Sequence, residues 1–123
     1  MAITFLIDPQ ARIVFLTTSG DSNLSEWTDT MKALLADPLY RPDLNFLSDR
    51  RQQSNVPDKK FAQDAADFLK QHANEMGHFR WATLSDSPAV YGMQRMFTIF
   101  SEMRGVTAKA FTDYDEACQW LQE

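Results

Sequence analysis

The chain has 123 residues, 44% apolar and 24% charged, a size and balance that suit one globular domain with one core. Its formal net charge of −5 disfavours a nucleic-acid partner, because no local basic run overrides the total; Arg50-Arg51 is the densest pair. The lone cysteine, Cys118, excludes an intrachain disulfide, and no apolar run approaches the roughly 20 residues of a membrane span.

In chain order, "AITFLID" and "RIVFLTTSG" are rich in β-branched and aromatic residues, as strands are. Asp8-Pro9 between them suits a type I turn, which predicts a hairpin of Ala2–Ile7 and Arg12–Thr18. Asn23 and Glu26 have capping-box spacing, and Leu24, Trp27, Met31, Leu34 and Leu35 recur on one helical face. Asp37-Pro38 ends that helix, because the residue before proline disfavours α geometry. "LNFLS", Leu44 to Ser48, reads as a short buried strand, followed by a polar loop.

Pro57 is placed in the first turn of a second helix, whose apolar face carries Phe61, Ala65, Phe68, Leu69, Ala73 and Met76, with Gly77 as its C-terminal cap. "HFRWATL" gives another strand. Ser87-Pro88 has the grammar of a helix start, and the third helix runs to about Met103, closed by Gly105. "TAKAF" is a last strand, and Asp113 with Glu116 opens a last helix carrying Ala117 and Leu121 inward. The order β-β-α-β-α-β-α-β-α predicts one α/β domain over residues 1–123, a mixed, mostly parallel five-stranded sheet with four helices.

Ser87 has two compatible readings: the cap of its helix, or part of an anion site at the positive end of that helix, where ligands gather in open α/β sheets. The helix itself is apolar over about half its circumference at 3.6 residues per turn, with Val90, Met93, Met96, Phe97, Ile99, Phe100 and Met103 on one side. Gln94, Arg95, Thr98, Ser101 and Glu102 share the other. Core packing accounts for such a stripe; the excess could also face another helix, a second subunit or an apolar ligand. In the loop "SDRRQQSN", Asp49, Arg50 and Arg51 share the carboxyl edge of the expected sheet with Asp86, Ser87, Thr112 and Asp113. Arginine forks there could grip an anion, or Asp49 could simply bridge an arginine while the other is solvated.

Catalytic signatures are missing: there is no Walker loop, no Gly-x-Gly-x-x-Gly and no Gly-x-Ser-x-Gly elbow. His72 and His78 lack the spacing of a zinc helix, and Cys118 reads as inert core. No metal and no cofactor is expected. The start "MAITFLIDPQAR" lacks the features of a signal peptide, so a cytoplasmic location is expected.

The strand order, the Asp-Arg after "LNFLS", the "YGMQRMF" helix and the closing "FTDYDEACQWLQE" together resemble the STAS-like superfamily. That fold is shared by anti-sigma-factor antagonists and, more distantly, by CRAL-TRIO lipid-transfer domains. The resemblance implies a non-enzymatic domain. Antagonists of that group are switched by phosphorylation in an Asp-Ser-x-Gly-like segment after the third strand; the corresponding "SDRRQQSNVPD" lacks that motif, and Ser54 is its nearest hydroxyl.

The expected function is therefore a non-enzymatic, regulatory STAS-like domain acting through protein contacts as a homodimer. The alternative is a module binding a small apolar, acyl or anionic ligand. The residues expected to touch the ligand or partner are Asp49, Arg50, Arg51, Ser87, Tyr91, Met93, Met96 and Phe100.

Overall fold

The hairpin forms where the two apolar runs place it. In the computed structural model, which describes residues 2–123, β1 (Ile3–Asp8) and β2 (Ile13–Gly20) pair antiparallel, Ile3 opposite Thr18 and Asp8 opposite Ile13. Asp8 closes the turn, its Oδ1 accepting from the backbone N–H groups of Gln10 and Ala11, each at 3.1 Å. Helix α1 (Leu24–Leu35) starts at Asn23, whose Oδ1 accepts from Glu26 N at 2.8 Å. The reciprocal half of the expected capping box is not made. The Glu26 carboxylate accepts instead from Ala2 N at 2.8 Å, tying the helix start to the entry of β1.

β3 (Asn45–Gln53) runs five residues beyond the expected end at Ser48, so "DRRQQ" is strand and not loop. The polar side chains hid it: β2 continues to Gly20 and offers β3 a backbone ladder whatever side chains the segment carries. Helix α2 (Lys59–Gln71) is capped by Asp58, whose Oδ1 accepts from Phe61 N at 2.8 Å, which leaves Pro57 outside the helix. The expected run to Gly77 breaks at His72, whose ring lies 3.9 Å from that of Phe68 and whose Nδ1 is 2.9 Å from Phe68 O. A single turn, α3 (Ala73–Met76), follows and brings the helix count to five. Gly77 has φ +70, and a Cβ there would collide with Asp43, so glycine alone fits the exit.

β4 (Arg80–Leu84), α4 (Pro88–Met103), β5 (Thr107–Phe111) and α5 (Tyr114–Leu121) complete the chain, the last strand and the third long helix with the expected bounds. The sheet order is β1-β2-β3-β4-β5, parallel from β2 onward. Each crossover steps to the next strand in the same direction. The right-handed rule then puts every crossover helix on one face. α1, α2 and α4 pack there over Val14, Leu16, Phe46 and Trp81; α5 covers the other face over Leu47, Ala82, Leu84 and Phe111.

The stripe that α4 buries differs from the one its apolar residues suggest. Val90, Gln94, Phe97, Thr98 and Ser101 are buried, at i, i+4, i+7, i+8 and i+11, while Ile99 and Met103 are exposed. Met93, Met96 and Phe100 are half-buried, packed against the main core at the border of the stripe. The helix lies across both the sheet edge and α2, and three polar side chains fall on the line between them.

Candidate functional site

β3 carries an irregularity at its carboxyl end. Thr17 faces Asp49 and Ser19 faces Gln52, so β3 advances three residues while β2 advances two. Such a bulge resets the alternation of faces. Arg50, in phase with Phe46 and Ser48, points toward α1, α2 and α4; Gln53, three residues on, comes to the same side instead of the opposite one. β4 ends at Leu84, opposite Asp49, so Arg50 lies just past the end of its parallel neighbour.

There it lines a narrow slot between α2 and α4, with Trp27, Phe61, Trp81, Met93, Gln94 and Phe97 as the other main walls. The cavity volume is about 30 Å³. That is more than the 10–15 Å³ or so that one water requires. Arg50 is 6% exposed. Its Nη1 donates to Gln53 Oε1 at 2.8 Å, and its guanidinium lies 5.5 Å from the centre of the Phe61 ring. Among the described residues no carboxylate pairs with it, whereas Arg51, Arg80 and Arg104 all have acidic partners. Burial without a counter-charge pulls its pKa down to about 10, which still leaves it charged at neutral pH.

Gln53 is itself held. Its Nε2 donates to Asn55 Oδ1 at 3.2 Å and to Ser22 Oγ at 3.4 Å, while Asn55 and Ser22 exchange side-chain and backbone hydrogen bonds at 2.8 and 3.0 Å. The loops entering α1 and α2 thus fix the amide that orients Arg50. On α4, Gln94 is 4% exposed. Its Nε2 donates to Leu84 O at 3.4 Å and its Oε1 has no partner.

No known family's sequence profile matches the chain, and no curated protein matches it. Among solved structures, it superposes on an uncharacterised protein of the DUF3478 family from Shewanella loihica PV-4, described as having a SpoIIAA-like fold. The TM-score is 0.62 at 19% identity, over 98% of this chain and 92% of that one. The fold is SpoIIAA-like. The expected STAS-like architecture is therefore the observed one, with one more short helix.

On this SpoIIAA-like frame, the expected site residues separate. Asp49 and Arg51 lie on the α5 face, opposite Arg50, because strand alternation divides them. Arg51 forms a two-point ion pair with Asp49, Nε to Oδ1 at 3.0 Å and Nη2 to Oδ2 at 2.7 Å, and lies over the Tyr114 ring. Burial works to raise the Asp49 pKa, but the side-chain and backbone hydrogen bonds from Arg51 outweigh it and hold the carboxyl below its ordinary value. The simple Asp–Arg bridge thus holds for Arg51, and the solvated arginine of that reading does not exist: Arg50 is buried.

Met93 lines the slot with Arg50; Tyr91, Met96 and Phe100 are half-buried on α4 and lie outside the slot lining. Ser54 is exposed in the β3–α2 loop. Ser87 caps α4, its Oγ accepting from Val90 N at 3.5 Å, and stands outside the slot. With so long a bond, Ser87→Ala is expected to cost about 0.5–1 kcal/mol in denaturant titration, at the low end for caps. No measurable loss would mean that the Ser87 hydroxyl does not cap the helix in solution.

Gln53 and Gln94 were missed by sequence reasoning. Gln94 carried a faint signal, since it is four residues after Val90 and three before Phe97 on the buried stripe. Gln53 carried none, because its orientation depends on the bulge. Among the described residues, no helix is long and apolar enough to cross a membrane.

Proposed function

We propose that this SpoIIAA-like domain is a binding module for a small organic monoanion, seated between α2 and α4 with Arg50 as its charge partner. The observation that carries the reading is a buried, charged arginine without an acid. A buried ion is ordinarily paired. Arg50 has five N–H donors and gives one to Gln53, so the rest of the fork is free for an anion. The walls are aromatic and aliphatic, the lining of small-molecule sites. Entry of an apolar tail requires Met93, half-buried and flexible, to swing aside. Arg50 stays protonated at neutral pH, so its role is to hold a negative charge and not to transfer a proton.

Titration of the whole chain with butyrate, followed by amide NMR, tests the reading. Saturable shifts centred on Arg50, Met93 and Gln94 are expected. Linear, unsaturable shifts, or shifts elsewhere only, would remove it.

Regulation through protein contacts, as a homodimer, is a second reading. Ile99 and Met103, one turn apart on α4, are 53% and 75% exposed and offer a self-complementary apolar edge. Light scattering at low micromolar concentration decides it; a strict monomer rejects it.

A further inference from the structure

The orphaned amide oxygen of Gln94 narrows the ligand's chemistry. Gln94 is 4% exposed and lines the same slot as Arg50. Its amide cannot be reversed: Nε2 donates to Leu84 O, and turning the group would set oxygen against oxygen. Oε1 is left facing no donor, an acceptor that neither the protein nor a bare carboxylate satisfies. A carboxylate at neutral pH has no proton to offer. The slot therefore presents two complementary demands, an anion for Arg50 and a hydrogen-bond donor for Gln94 Oε1.

We infer that the ligand is a small carboxylate that also carries a neutral donor, a hydroxyl or amide N–H, the carboxylate on Arg50 and the donor on Gln94. This rests on the binding-module reading above. One charge on the ligand cancels one charge on the protein; a dianion would leave a net negative charge between Phe61, Trp81 and Phe97. A cationic amine as the donor would lie beside Arg50 and be repelled.

Binding of butyrate, 2-hydroxybutyrate, 3-hydroxybutyrate and inorganic phosphate to the full chain is compared by amide NMR. At least one hydroxy acid should bind about fivefold or more tightly than butyrate, the margin expected when a buried acceptor gains its donor. Gln94→Leu and Gln94→Met should erase that advantage, so that in each variant the hydroxy acids bind no tighter than butyrate does to the same variant. Equal affinity for all three acids, an advantage that survives in both variants, or phosphate binding tightest of the four would overturn the inference while leaving the Arg50 reading standing. Absence of saturable binding by any carboxylate would overturn both. The comparison of acids on the unmodified chain decides the matter even if neither variant folds.

Discussion

Replacing Arg50 by methionine is expected to abolish anion binding while changing the stability of the ligand-free fold by no more than about 2 kcal/mol. The two effects have separate origins. The folded-state pKa of Arg50, about 10, lies below the ordinary arginine value, so the folded protein holds this proton less tightly than the unfolded chain does. Between those values the unfolded state binds more protons, and stability rises with pH across that window. Below about 10 the full penalty is present, on the order of 3 kcal/mol for a difference of this size. Methionine removes that penalty and fills much of the same space. Against this stand the charged hydrogen bond to Gln53, about 1.5–3 kcal/mol, and the contact over Phe61, about 0.5–2 kcal/mol. The opposing contributions cancel to within about 2 kcal/mol.

An arginine paired with a buried acid would behave otherwise, since deleting one partner strands the other and costs about 3–5 kcal/mol. Urea titrations with and without butyrate separate the cases. The unmodified protein should gain about 2.7 kcal/mol at a ligand concentration 100 times Kd, and Arg50→Met should gain nothing. A ligand-free loss above about 3 kcal/mol in the variant would make Arg50 a structural residue and end the binding reading.

The distance between Arg50 and Arg51 shows where the sequence was legible and where it was not. The bounds of α4 could be read because Ser87-Pro88 and Gly105 are local signals, each sufficient for its own end. The end of β3 could not, because its continuation depends on a ladder supplied by β2, and "RRQQ" has no apolar alternation to announce it. A strand that ends at Ser48 leaves Asp49, Arg50 and Arg51 together in a loop; its continuation through all three sends Arg50 to one face and its neighbours to the other.

The α4 stripe failed for a related reason. Sorting the helix by polarity places Gln94, Thr98 and Ser101 outward, yet all three are buried, and Ile99 and Met103 are outside. Polarity locates a core face only where the core is uniformly apolar. Around the slot it is not, and the misassigned glutamine is one of the residues that give the slot its chemistry.

Trp81→Ala is expected to cost about 3 kcal/mol of stability, at the lower end of the range for a buried tryptophan. Trp81 is 1% exposed on β4 and is the hub of the aromatic core. Its ring stacks on Phe46 at 5.0 Å and meets Phe97 and Trp27 at 5.9 and 6.1 Å, so it touches the sheet, α4 and α1 together. Removing it takes away an aromatic contact that joins the sheet to α1 and α4. The lower end applies because Trp81 also floors the slot beside Arg50. The space left behind opens onto unused guanidinium donors, and water that enters can be hydrogen-bonded there, unlike water in a purely apolar hole. Phe46→Ala, whose ring is fully buried among Tyr40, Phe79 and Trp81, has no such relief and should fall toward about 4–5 kcal/mol. For a chain of 123 residues, a 3 kcal/mol loss corresponds to a fall in melting temperature of about 12 °C. Calorimetry of the two variants checks both size and order. A loss below about 1.5 kcal/mol for Trp81→Ala would mean that α1 and α4 are held to the sheet by contacts other than this ring.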